Sequence, residues 1–182
     1  MEVKITRGWS MKPAALRKID NIWQKEFPRN DSVLPKNRRN FSEDTFFVLY
    51  DENKILSTGR LRPNSIKFRG KNYQIQGIAD IVSVIKGKGY GKKIMRTMHK
   101  HLNNTGEIGM GFCMRENSPF YRKSGLKIAA NLAQRFVYKN SKGKLVRGST
   151  DNDVIYFEKG RNLVNAIIKY PKEKVLIPKY PW

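Results

Sequence analysis

Apolar and polar positions along this chain follow two periods, and the switches between them mark its elements. Val3 to Thr6 reads as a first strand. Leu16, Ile19 and Trp23 fall at helical spacing and predict an amphipathic helix from Lys12 to Phe27, ended by Pro28-Arg29-Asn30-Asp31. The basic, proline-containing stretch that continues to Asn40 predicts loop with a short helix, a candidate wall for a binding cleft. Thr45 to Tyr50 and Lys54 to Leu61 read as a hairpin around Asp51-Glu52-Asn53, followed by a second turn at Pro63-Asn64 and an extended segment from Tyr73 to Ile85. A helix from Gly89 to Leu102, a strand from Glu107 to Met114 and a short helix from Ser118 to Ser124 come next. Leu126 to Tyr138 and Asp153 to Glu158 read as closing strands joined by Asn140-Ser141-Lys142-Gly143. Residues 161–182 read as a separate basic C-terminal tail, which carries Lys-Tyr-Pro twice and ends at Trp182. No internal repeat is visible.

Composition narrows the class. A chain of 182 residues, 39% hydrophobic, suits one globular domain with a sizeable core. No apolar run approaches the ~18 residues a membrane span needs, and the N-terminus lacks a signal-peptide profile, so a soluble cytoplasmic protein is expected. The single Cys113 excludes an intrachain disulfide and a cysteine-based metal site; set among Met110, Phe112 and Met114, it reads as a buried inert thiol. His99 and His101 stand two apart on a helix and do not face one another, which argues against a metal cage or a Ser-His-Asp triad.

The densest chemistry lies at Lys86-Gly87-Lys88-Gly89-Tyr90-Gly91-Lys92-Lys93, between an apolar strand and a helix. Glycines at alternate positions let backbone N–H groups approach a ligand, and the following helix aims its positive dipole end at the same place. With four lysines in the run, this reads as a site for a phosphorylated ligand. A Walker loop requires Ser or Thr where Ile94 stands, and a dinucleotide fingerprint requires glycine where Lys92 stands, so both common nucleotide readings fail.

The order of elements, together with Lys86-x-x-Gly89-x-Gly91 and Asn117-Ser118-Pro119-Phe120-Tyr121-Arg122-Lys123-Ser124-Gly125-Leu126, resembles the GNAT superfamily of acyl-CoA-dependent N-acyltransferases. The first motif is similar to that family's pyrophosphate loop and the second to its Phe-Tyr-x-Lys-x-Gly-Phe segment. The resemblance implies a single-domain α/β (α+β) fold over residues 1–160, with a mixed, mostly antiparallel central sheet flanked by helices. It implies acetyl-CoA as co-substrate, with the pantetheine arm on the backbone of Ala79 and Ile81. The pyrophosphate would then rest on Gly87, Lys88, Gly89, Tyr90, Gly91 and Lys92, with Lys86 at the loop's entrance. Lys86 stands where arginine or glutamine is usual, Ser83 where proline often occurs and Leu126 where phenylalanine is usual. More weakly, Tyr138 to Gly143 with Asp151 to Phe157 is similar to the closing hairpin of aminoglycoside 2'-N-acetyltransferases.

Acetylation of an amine by a thioester needs a deprotonated amine, a stabilised oxyanion and a protonated leaving thiolate. By the resemblance, Tyr121 is the general acid and the backbone N–H near Ile81 meets the oxyanion. Asp80 is the nearest acidic residue to the acyl position and the candidate base, although strand alternation turns its side chain to the face opposite Ala79 and Ile81. Glu107, Glu116 and the Trp182 carboxylate are lesser candidates. The formal charge, +22 from 37 basic and 15 acidic residues, attracts polyanions and repels polycationic aminoglycosides unless Asp151 and Asp153 form a local acidic pocket. A neutral or anionic amine, small or peptide-borne, or one on a carrier such as tRNA or the ribosome, suits this field. Two alternatives stay open: a nucleic-acid-associated protein on the same fold, with Tyr170, Tyr180 and Trp182 stacking on bases, and a catalytically idle CoA-binding member.

Overall fold

The computed structural model describes residues 1–27, 41–140 and 142–178. The expected cleft wall from Pro28 to Asn40, and the tail residues Tyr180 and Trp182, lie outside the described residues. The elements run β1 (Glu2–Arg7), α1 (Pro13–Glu26), β2 (Thr45–Asp51), β3 (Lys54–Phe68), β4 (Lys71–Ser83), α2 (Tyr90–Thr105), β5 (Gly109–Cys113), α3 (Ser118–Lys123), β6 (Lys127–Ala129), β7 (Phe136–Lys139), β8 (Leu145–Arg147), β9 (Asp153–Phe157), α4 (Leu163–Lys169) and β10 (Val175–Ile177). This is a mixed α/β fold whose sheet is mostly antiparallel. The backbone divides into two compact units, Met1–Arg62 with Ala79–Met98, and Pro63–Ile78 with His99–Trp182.

In the first unit, β1 pairs antiparallel with β2 and β2 with β3, from Thr45 opposite Leu61 to Asp51 opposite Lys54. Helix α1 begins at Pro13, where a missing N–H costs nothing, and buries Leu16, Ile19 and Trp23 against Phe41, Phe46, Val48 and Val82. Each such side chain contributes about 1.5–3 kcal/mol on burial. Trp23 stacks on Phe46 with ring centroids 6.1 Å apart and donates its indole N–H to Thr58 Oγ1 at 2.9 Å, so its polar atom is satisfied in the core. Gly59 gives α2 its seat: a Cβ there would stand 2.5 Å from Ile81 Cδ1, 2.9 Å from Met98 Cε and 3.0 Å from Ile94 Cγ2.

In the second unit the strand order is β6-β9-β5-β4-β3-β10-β7-β8. Strand β5 lies parallel to β4 and antiparallel to β9, which in turn pairs antiparallel with β6. The core includes Ile66, Ile75, Met110, Phe136, Val154, Val164, Ile167 and Val175. Glu158 Oε2 accepts the Leu163 and Val164 N–H groups at 2.9 and 3.4 Å and so caps α4; Arg135 Nη1 donates to the Ile167 carbonyl at 2.6 Å at the other end.

Three expectations about elements are corrected. Pro63-Asn64 is no turn: β3 runs through it and reverses at Arg69-Gly70. The pairing of β3 with β2 ends at Leu61, two residues before Pro63, and Asn64 Oδ1 takes the Ser65 N–H at 2.8 Å. Leu126 to Tyr138 is not one strand, because Asn131 adopts φ 59° and gives its N–H to Asp153 Oδ1 at 3.0 Å, separating β6 from β7. The Asn140 to Gly143 turn consequently joins β7 to β8 and does not lead directly into β9. Residues 161–178 are no separate tail: α4 buries Leu163, Val164 and Ile167, and β10 inserts between β3 and β7, parallel to β7.

Candidate functional site

Strand β4 ends in an anchored corner. Ser57 Oγ donates to the Val82 carbonyl at 2.6 Å and lies 3.0 Å from Ser83 Oγ, and the Val84 N–H donates to the Leu56 carbonyl at 2.9 Å. From this corner the chain enters the glycine loop. Gly87 and Gly89 hold φ of 77° and 76°, a region open to glycine and costly for most side chains, and nothing lies within 4 Å of where a Cβ would stand at either. The backbone is thus exposed to whatever approaches it. Lys93 closes the first turn of α2 onto the Gly89 carbonyl at 3.1 Å, so the helix N-terminus opens directly from the loop. Tyr90 is its first residue and Gly91 is buried, while Lys86 and Lys88 are exposed and Lys92 is half-buried. Lys86 Nζ pairs with Glu26 Oε1 at 2.5 Å; with side-chain exposures of 66% and 36%, such a pair contributes about 0–1 kcal/mol and exchanges readily for another anion. Open glycines, lysines and a helix N-terminus together fit a pyrophosphate-bearing ligand.

Ala79, Asp80 and Ile81 lie on β4 in the same unit as the loop. Asp80 departs from the alternation read in the sequence, since its φ is 52°. A left-handed residue in a strand breaks the two-residue repeat and turns neighbouring backbone groups off the ladder. The Asp80 carboxylate accepts from Arg60 Nε at 2.5 Å, with side-chain exposures of 7% and 5%, so it is buried and engaged in an ion pair. Arg60 itself was not legible as a site residue; its only sequence signal is a charge inside the buried run Ser57 to Leu61.

Tyr121 sits on α3 in the second unit, half-buried, with Phe120 edge-on at 5.0 Å. The helix stops because Ser124 and Leu126 give their N–H groups to the Phe120 and Tyr121 carbonyls and Gly125 takes φ 97°. Burial pushes the Tyr121 phenol well above its ordinary range, with the charges of Cys113 and Asp151 adding to the shift. The phenol therefore keeps its proton at neutral pH. Cys113 is buried and its thiol is raised, first by burial, in keeping with an inert role. His99 packs edge-on against Phe157 at 4.7 Å. Glu107 accepts from Gln76 Nε2 at 2.7 Å, and Glu116 is exposed.

Asp153 does not supply an open acidic pocket. It is 2% exposed and accepts from Ser118 Oγ at 2.8 Å and from the Asn131 N–H at 3.0 Å, with Arg115 Nη2 3.7 Å away. The adjoining cavity, about 390 Å³, is lined by Arg115 and Arg122 as well as Asp153, so an acidic exception to the net field is not found there. Tyr170, read as a base-stacking ring, is covered by the Arg69 guanidinium at 3.8 Å from its centroid.

The sequence model of the family described as acetyltransferase (GNAT) domain matches residues 10–129. No curated protein matches the chain. Among solved structures, an acyl-CoA N-acyltransferase from Pseudomonas aeruginosa is similar at TM-score 0.55 and 11% identity, covering 86% of this chain and 97% of that one. Escherichia coli ElaA is similar at TM-score 0.57 and 10% identity, covering 87% and 100%. A probable N-acyltransferase from Enterococcus faecalis is similar at TM-score 0.54 and 17% identity over 70% of this chain, which spans 33% of that protein's length. At such identities the structural likeness speaks for the fold alone. The family match is a statement about sequence, and it spans the glycine loop, the left-handed residue of β4 and the Tyr121 segment: the chain belongs to the GNAT acetyltransferase family.

Proposed function

We propose that this protein is an acetyl-CoA-dependent N-acetyltransferase that moves an acetyl group onto a primary amine by direct attack in a ternary complex. The observation that carries the reading is the loop at Gly87 and Gly89, left-handed at both residues, open to approach and opening into a 16-residue helix within the family match. Acyl-CoA supplies an acyl group activated as a thioester. The loop N–H groups, with Lys88 and Lys92, take the pyrophosphate, aided by the dipole of α2. The backbone at Ala79 and Ile81 receives the pantetheine arm, and the Ile81 N–H is offered to the carbonyl oxygen as it gains charge. Tyr121 gives its phenolic proton to the departing sulfur, and the amine's surplus proton restores the phenol, so atoms and charge balance over the cycle. Raised by burial, the phenol is a weaker acid than a thiol of pKa ~8.5, so it yields its proton only as the carbon–sulfur bond breaks. The +22 charge supports a neutral or anionic amine over a polycationic one.

Acetyl-CoA is expected to raise the melting temperature of the parent protein, and thiol release is expected on adding a suitable amine. Gly89→Asp should abolish the shift, because it places a side chain and a negative charge against the pyrophosphate at a backbone angle that favours glycine. Equal stabilisation of parent and variant would remove the loop from the site.

A further inference from the structure

Four charges meet at and behind Asp80, the left-handed residue of β4. Arg60 donates from Nη1 to Asp44 Oδ2 at 2.7 Å and from Nε to Asp80 Oδ2 at 2.5 Å, and the side chains of all three are at most 7% exposed. Arg62 Nε lies 3.3 Å from both oxygens of Asp44, which brings the cluster to neutrality. The Arg60 guanidinium also sits over two rings, 5.1 Å from the centroid of Trp23 and 4.9 Å from that of Phe41. It is thus held by two rings as well as by two carboxylates.

A buried ion network is a poor source of stability, since desolvation offsets most of what its attractions return, and well-packed apolar residues do as well. What such a network can do is hold one geometry. Asp80 needs holding: φ 52° is uncommon for a residue with a Cβ and persists where the surroundings fix it. Its neighbours Ala79 and Ile81 carry the backbone proposed above for the acyl donor, and the inference rests on that reading.

We infer that Arg60 is a positioning residue for the acyl donor: clamped by Asp44, Trp23 and Phe41, it holds the Asp80 carboxylate and through it the left-handed backbone at Asp80 between Ala79 and Ile81. Asp80 is then an anchor of that backbone in place of a base. The clamp works through an ion pair with the side chain, so it is separable from the backbone angle itself.

Asp80→Gly makes that separation, since glycine accepts positive φ while the Arg60–Asp44 pair stays in place. Arg60→Lys keeps the charge and loses the fork that reaches both carboxylates. Asp80→Asn keeps an oxygen for Arg60 Nε and serves as the rescue. Two quantities are measured on the full chain: the dissociation constant for acetyl-CoA, and hydrogen exchange of the amides at 79–83 without ligand. Asp80→Gly and Arg60→Lys should weaken acetyl-CoA binding by about 10- to 100-fold, speed exchange at 79–83 and lower turnover as well, since the Ile81 N–H belongs to the same backbone, with Asp80→Asn close to the parent in all three. Parent-like binding and exchange in Asp80→Gly would overturn the clamp, and this variant decides should Arg60→Lys fail to fold. Loss of turnover in Asp80→Asn at unchanged donor affinity would overturn it too, by making Asp80 the base. A parent that binds no acetyl-CoA would refute the acetyl-CoA-dependent reading, and the exchange measurement would still decide whether Arg60 holds the backbone at Asp80.

Discussion

Tyr121 is a phenol whose surroundings make it hold its proton, and this sets what it can contribute. Burial disfavours the phenolate, so the donor form is present throughout the neutral range and the group has no role as a base there. Tyr121→Phe should lower turnover by about 10- to 1000-fold, the range of general acid terms, with acetyl-CoA affinity nearly unchanged; single-turnover kinetics beside equilibrium binding would check both. Unchanged turnover would leave Tyr121 a packing residue against Phe120. The open backbone of the glycine loop and the short helix that carries Tyr121 were legible in the sequence because each segment is contiguous and its backbone is decided locally. Arg60 was not, since its role requires Asp44, Trp23 and Asp80 to be brought together from separate segments, around a left-handed residue that strand alternation does not anticipate.

Among the elements, α1 and α2 lie within a few residues of where apolar periodicity placed them, because each has one buried face. The misread elements are those whose structure is decided by partners distant in sequence. Pro63 reads as punctuation, yet β3 continues through it past the end of its pairing with β2; Asn131 carries no mark that sets it apart from other strand-adjacent polar residues until Asp153 accepts its N–H. Residues 161–178 read as tail because lysines dominate their composition, while the side chains that matter, Leu163, Val164, Ile167, Val175 and Ile177, are few and buried. At about 1.5–3 kcal/mol each, these five side chains amount to as much as the whole stability of an ordinary domain. A chain truncated before Leu163 should therefore lose cooperative unfolding in the second unit, seen by circular dichroism and limited proteolysis. A truncated protein that melts like the parent would return this segment to the status of a tail.

For the molecule as a whole, the buried acids set a limit on the alkaline side. The phenols of Tyr50, Tyr121 and Tyr156 and the Cys113 thiol are all raised by burial. For a group raised in the folded state, stability is complete below the unfolded value and is lost as pH rises through the folded one, because the unfolded chain releases its proton first. The window opens near 9.0 for the thiol and 10.0 for the phenols and extends upward. The parent should lose melting temperature from about pH 9 upward, and Tyr121→Phe should lose less of it over the same range, measured by thermal scans between pH 8 and 11. An identical pH profile in the two proteins would mean that Tyr121 ionises alike in folded and unfolded chains. The placement of β10 has a consequence for the order of events during synthesis. Both of its sheet neighbours, β3 and β7, leave the ribosome before residue 175 does, so for a time the growing sheet carries an empty slot with two unsatisfied edges. Until β10 enters, that slot is a template for any extended segment of suitable pattern, and the strand that fills it is also the plug that ends this exposure.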